Sequence, residues 1–213
     1  MMNGAWFDDA HSYDDLNLIL SNVDIPPAEA KTNYVDVPGK NGSADLTEAS
    51  GRVRFKDRDI KLTFTVLPGD DFEQKKSEVS GMLNGRRCRI VLDKDPEWYW
   101  EGRCGIDSYA SNRNVGQIVV ASTVRPYKRR RSERRLSAAP GTAVKRSLPN
   151  GGSLAVVPDI ETTAAASISF GGESYALEPG THRLLNLELE AGMNVVTVTS
   201  DGTTTFRYRE GEL

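Results

Sequence analysis

Histidine is nearly missing from this sequence. Its 213 residues include two, His11 and His182, and neither belongs to a His-Glu-x-x-His or comparable metal arrangement. No serine sits on a recognisable nucleophile elbow, so a Ser-His-Asp set is excluded as well. Cysteine is as rare. Cys88 and Cys104 have no third Cys or His at metal-ligand spacing, which rules out a structural zinc site. The two flank a turn expected at Asp95-Pro96 at nearly equal distances, which lets them face each other across two antiparallel strands. Reducing compartments rarely keep such a pair oxidised, and buried free thiols are expected. No apolar run approaches the roughly 18 residues of a membrane span. The N-terminal stretch has neither the basic nor the apolar segment that directs secretion, so folding in a cytoplasm without membrane insertion is expected. Acidic clusters are present at Asp8-Asp9, Asp14-Asp15, Asp70-Asp71 and Asp93/Asp95/Glu97. None follows calcium-loop spacing, and turns and helix starts attract Asp without a ligand. Nor does any glycine-rich segment end in the Gly-Lys-Ser/Thr of a phosphate cradle. Neither enzymatic activity nor a cofactor is expected.

The composition is that of a soluble globular protein, with 38% hydrophobic and 27% charged residues, and the length allows one large or two small domains. The formal charge of −3 is small but unevenly spread. Arg125, Lys128, Arg129, Arg130, Arg131, Arg134 and Arg135 crowd one stretch interrupted only by Glu133. Such a run can hold phosphates. It carries Tyr127 as its one aromatic, whereas surfaces that bind single strands offer several stacking rings, and the expectation is a solvated interdomain linker.

One stretch is too polar and glycine-rich for a core yet too patterned for filler: Val35-Asp36-Val37-Pro38-Gly39-Lys40-Asn41-Gly42-Ser43-Ala44-Asp45-Leu46-Thr47-Glu48. Pro38 fixes its own φ, and Gly39 and Gly42 permit conformations closed to other residues, so this reads as a shaped loop. With no catalytic set beside it, a contact with another protein is its expected use. Residues 53–66 alternate apolar and polar around Asp57-Arg58, which predicts a half-buried hairpin. After the Leu67-Pro68-Gly69 turn a helix is expected, capped by Asp70 or Asp71, presenting Phe72, Lys76, Val79 and Leu83 on one face and ending at Asn84-Gly85. Strands are predicted at 16–20, 88–92, 98–104 and 118–120. Beyond the linker the predicted strands are short and recur between turns, at 155–157, 166–170, 185–189 and 195–199. Asp201-Gly202 is expected to turn the last of these into a hairpin with 203–208. The fold class expected is mainly β with one helix in residues 1–127, a linker over 128–150, and a small β-sandwich over 151–213.

Several of these pieces together resemble the distal tail proteins of long-tailed, non-contractile bacteriophages. They are Trp6-Phe7 through Asp14-Asp15-Leu16, the Pro38-Gly39-Lys40-Asn41-Gly42 loop with Asp45-Leu46-Thr47-Glu48, and Arg58 with Ile60-Lys61-Leu62-Thr63-Phe64. The Asp93-Lys94-Asp95 turn and Arg125-Pro126-Tyr127 complete the set. The resemblance covers about the first 127 residues. It implies a tail-tube-like, ring-forming first domain that assembles as a homohexamer at the virion tail tip. The tail-tube protein, the tail-tip hub protein and the tape measure protein would be its partners, and DNA would pass through the ring. It also implies a galectin-like sandwich at the C-terminus, although this segment is short for one. Two alternatives remain open at the level of the sequence: a sandwich that binds host-surface carbohydrate, and a nucleic-acid-binding protein that uses the arginine run.

Overall fold

The computed structural model describes residues 4–49, 51–111 and 115–213. The chain forms two units that divide between Pro126 and Tyr127.

The first unit contains β1 (Ala5–Phe7), β2 (Ala10–His11), β3 (Leu18–Asp24), β4 (Tyr34–Asp36), β5 (Ser43–Asp45), β6 (Arg58–Val66), α1 (Phe72–Leu83), β7 (Arg87–Leu92), β8 (Trp98–Ser111) and β9 (Gly116–Val124). Seven of the strands form an antiparallel sheet in the order β2-β1-β7-β8-β9-β6-β3. Side chains of a strand alternate between faces, and β6 shows it plainly: Arg58, Ile60, Leu62, Phe64 and Val66 are buried while the residues between them are not. The four apolar ones, Ile60, Leu62, Phe64 and Val66, join Leu18 and Leu20, Ile90 and Leu92, Trp100, and Ile118, Val120 and Val124 in one core. Helix α1 brings Val79 and Leu83 to that core. Asp71 caps the helix, its carboxylate accepting from the backbone N–H of Glu73 at 2.8 Å and of Gln74 at 3.2 Å. Phe72 lies over Gly116, where a Cβ would overlap its ring. The helix therefore seats where the sheet has no side chain.

The hairpin expected within 53–66 is not formed. Residues 58–66 are a single strand between β3 and β9, and Phe55 instead bridges Ala30. At Asp57-Arg58 the chain does not turn back but passes from a separate two-stranded arm into the sheet.

The second unit contains β10 (Lys128–Arg130), β11 (Arg134–Ala138), β12 (Gly141–Asn150), β13 (Asp159–Thr162), β14 (Ala166–Phe170), β15 (Glu173–Leu177), β16 (Gly180–Arg183), β17 (Gly192–Ser200), β18 (Thr204–Tyr208) and β19 (Gly211–Glu212). Two four-stranded antiparallel sheets, β11-β18-β13-β16 and β12-β17-β14-β15, share a core of Leu148, Ile160, Ile168, Leu187, Leu189, Val196, Val198 and Phe206. Strand β10 pairs with β19. This is a β-sandwich.

Three expectations for this half are corrected. Residues 128–150 are not a linker: they supply β10, β11 and β12, the last two being edge strands of the two sheets. Residues 185–189 are not a strand; Leu187 and Leu189 are buried, and Leu189 makes a bridge with Val156. Asp201-Gly202 turns the chain from one sheet into the other, since β17 and β18 do not pair. Gly202 is pressed against Thr163 and Ala164 at this corner, where a Cβ has no room.

Candidate functional site

Between β3 and β6 the chain leaves the sheet and returns as a two-stranded arm. Its base is set by backbone bonds from Lys31 N–H to Arg54 C=O at 2.7 Å and from Lys56 N–H to Glu29 C=O at 2.8 Å. Farther out, β4 pairs with β5 through Tyr34 and Asp45, Val35 and Ala44, and Asp36 and Ser43. Pro38, Gly39, Lys40, Asn41 and Gly42 form the tip, where Gly39 (φ 81°) and Gly42 (φ 75°) adopt the left-handed conformation that favours glycine. The Ser43 hydroxyl donates to Asp36 at 2.6 Å across the ribbon.

The remaining loop residues are also held. Asp45 accepts from Thr47 N–H at 2.9 Å, Thr47 Oγ1 accepts from Asn33 N–H at 3.1 Å, and Leu46 N–H donates to Asn33 C=O at 2.7 Å. The Thr47 hydroxyl and N–H hold the Asp45 carboxyl below its ordinary range. Glu48 C=O accepts from Gly51 N–H at 2.8 Å. The expected shaped loop is thus one ordered object, the outer part of the arm.

The arm's surface is its main chemical feature. Tyr34 is 61% exposed, Val35 42%, Val37 43% and Leu46 43%. A lone two-stranded ribbon is marginally stable in water, and apolar side chains gathered on an exposed element mark contact surfaces. Sequence reading included Val35 in the loop but did not single out Tyr34, which lies one residue before the run it marked.

One side chain holds the root of the arm. Arg58, 8% exposed, is the first residue of β6. Its guanidinium donates to Pro26 C=O at 3.0 Å, where the chain departs for the arm, and to Pro126 C=O at 2.6 Å, where the first unit ends. It lies 4.4 Å from the ring centroid of Trp100. Burial lowers its pKa from the ordinary arginine value.

The arginine run occupies a different setting from the one expected. Arg130 and Arg134 bind the two oxygens of Glu210, at 3.0 Å and 2.6 Å, and Glu210 is 1% exposed. Gly151 N–H adds a bond at 2.8 Å. Burial disfavours the charged carboxyl, yet the Gly151 N–H and the two guanidinium groups outweigh it, so the Glu210 pKa lies below its ordinary value. Arg129 sits in β10 opposite Gly211, Arg131 C=O accepts from the Arg209 guanidinium, and Arg135 pairs with Glu133 at 2.8 Å. Glu210 was missed because a single acidic residue near the end of a sequence carries no spacing signal.

Most of the remaining candidates have structural partners. His11 is buried, stacked 4.7 Å from Trp6, with its ring nitrogens 2.7 Å from Asp14 and 3.2 Å from Asp93. The His182 ring lies 2.7 Å from the Glu178 carbonyl. Cys88 and Cys104 are buried free thiols, offset by register, since Cys88 faces Gly102 across β7 and β8. Of the aromatics open to a carbohydrate reading, Phe206 and Tyr208 are core residues and Phe170 packs against the core. Among the described residues no His, Cys, Asp and Glu side chains group as a metal site, and no helix is long and apolar enough to cross a membrane.

No protein-family model matches the sequence, and no curated protein does. The structure is similar to the crystal structure of SPP1 Dit, a paradigm of the hub adsorption apparatus in phages that infect Gram-positive bacteria. The TM-score is 0.70 at 11% sequence identity, over 98% of this chain and 99% of that one. The chain therefore shares the fold of SPP1 Dit, mainly β with a single helix among the described residues.

Proposed function

We propose that this protein is a structural subunit of a phage tail hub, a distal tail protein that acts through geometry and not through catalysis. In this reading its first unit joins copies of itself into a closed ring at the virion tail tip, assembled in the cytoplasm of the bacterial host. The tail-tube protein lies on one side, the tail-tip hub protein on the other, and the tape measure protein and then DNA occupy the lumen. The hexameric count comes from the sequence resemblance, and the fold shared with SPP1 Dit supports the tail-hub role.

The observation that carries the proposal is the arm of residues 29–56, ordered by its own hydrogen bonds and exposing Tyr34, Val35, Val37 and Leu46. Burying half of each of those side chains in a contact contributes on the order of 1 kcal/mol apiece. A ring needs one surface to meet a different surface of the next copy, so loss of a contact element lowers assembly more than folding. Replacing Asp45-Leu46-Thr47-Glu48 with Gly and Ser tests this. The expected variant is folded but impaired in self-association and in binding tail-tube and hub proteins. A folded variant with unchanged oligomeric mass and unchanged partner binding would remove the arm from the assembly surface.

A further inference from the structure

We infer that the outer face of the sheet β12-β17-β14-β15 is an interface between two copies of this chain, which pack it face to face about a two-fold axis. The inference is independent of the tail-hub reading, since it rests on the second unit alone.

Strand alternation sends Leu148, Ile168, Val196 and Val198 of this sheet into the core, and the residues between them outward. The register lines the outward side chains up across the strands. Lys145, Thr197, Ser169 and Ser174 form one row, and Thr199, Ser167 and Ala176 form another. Toward the start of β17, Val195 lies beside Ser147 and Met193 beside Pro149. Met193 is 68% exposed and Val195 50%. Of these outward side chains only Lys145 is charged, and it stands on β12, an edge strand. The other outer face of the same sandwich is the reverse: Arg135, Arg207, Asp159 and Arg183 form one row across it, and Glu161 stands in the next.

A centre without charge and a charge at the rim is the composition of a protein interface, and apolar side chains exposed together mark one. Several hydroxyls of the face already have partners within it. The Ser174 hydroxyl lies 2.9 Å from that of Ser169 and 3.4 Å from that of Ser167, and Thr199 Oγ1 accepts from Ala143 N–H at 2.9 Å. Covering them therefore forfeits little hydration. The occupant is a second copy for two reasons. Charge patterns select one protein over another, and this face offers a foreign partner none, yet it meets itself with almost no like charges opposed, as a two-fold interface requires. The area also fits: strands about 4.8 Å apart, with outward rows about 7 Å apart, present roughly 400–500 Å² per copy, which is the size of a weak, specific contact. Such a contact forms at high concentration or where many copies are held side by side.

The test is the mass of the full chain by analytical ultracentrifugation from about 1 μM to about 1 mM, the range of weak contacts. The expected result is a doubling with concentration, of monomers into dimers or of single rings into paired rings, so the reading is the same whether or not the ring of the tail-hub account forms. Thr197→Lys and Val195→Lys each set like charges against one another across the two-fold axis and should weaken the doubling at least about tenfold. Thr181→Lys, on the charged face, should leave it unchanged. No doubling in wild type, doubling unaltered in both face variants, or equal weakening by Thr181→Lys would overturn the proposal. A wild type that never doubles but binds the tail-tube or hub protein, with that binding abolished by Thr197→Lys, would overturn it too, because the face would then belong to a different protein.

Discussion

Replacing Arg58 with Met should loosen the first unit at two points that are distant in sequence. The substitution removes the bonds to Pro26 C=O and Pro126 C=O and the charge over Trp100, while keeping an apolar stem in contact with the ring. Hydrogen bonds from a charged donor contribute about 1.5–3 kcal/mol each, and a partly desolvated cation over an aromatic face about 1–2 kcal/mol. Against this stands the cost of burying the guanidinium, several kcal/mol, which the variant recovers. The net expectation is a loss of about 2 kcal/mol. Arg58→Lys should lose about 1 kcal/mol, since an ammonium keeps the charge but lacks the planar fork that reaches two carbonyls at once. Trp6, Trp98 and Trp100 are the three tryptophans of the chain, and all belong to the first unit. Tryptophan fluorescence during urea unfolding therefore reports this unit alone. Amide exchange should rise together at residues 28–31 and at Arg125, the last backbone N–H before Pro126, and remain unchanged in β8 and β9. Stability within about 0.5 kcal/mol of wild type, with exchange unaltered at either point, would refute the assignment of Arg58 as the shared anchor.

Glu210→Gln should destabilise the second unit by about 1–3 kcal/mol, because it weakens the charge-assisted bonds to Arg130 and Arg134, whose side chains are 35% and 37% exposed and so keep part of their solvation. A far-UV circular dichroism transition that tryptophan fluorescence does not follow measures it. The pH dependence has a fixed sign. The folded-state pKa of Glu210 is depressed, so its contribution is complete above the ordinary carboxylate value and is lost as pH falls through the folded value. Acidification should therefore destabilise the second unit more steeply in wild type than in Glu210→Gln. The two thiols should be unreactive in the native protein: burial, followed by the neighbouring Cys104, pushes Cys88 up to about 12, and burial raises Cys104. Titration with a thiol reagent should find two free sulfhydryls only after denaturation without reductant, and finding none would mean a disulfide.

The sequence disclosed elements whose signals are local. The helix announced itself by the Asp71 cap, the spacing of Val79 and Leu83, and the Asn84-Gly85 stop, all of which lie within one segment. Strands β7, β14 and β17 were legible for the same reason, as short apolar or alternating runs bounded by turns. What was not legible depended on distant partners. Residues 53–57 alternate as a hairpin would, yet their backbone partners lie at 29–31, so the arm was seen as a loop and not as a ribbon. The arginine run read as solvated because its neutralising residue, Glu210, lies 76 positions from Arg134. With that carboxylate in place, Arg134 faces inward and Arg135 outward, as strand alternation requires. Leu187 and Leu189 show the converse: they have the period of a strand, yet they fill the core from an irregular segment. The arm tip was identified because Pro38, Gly39 and Gly42 fix a shape irrespective of what lies nearby.

The most direct test of the tail-hub account is the solution mass of the purified full chain, measured across concentration and combined with class averages by electron microscopy. The account predicts closed rings, six-fold by the resemblance, either formed alone or induced by the tail-tube and hub proteins. A chain that stays monomeric at every concentration, and in the presence of both partners, would contradict it.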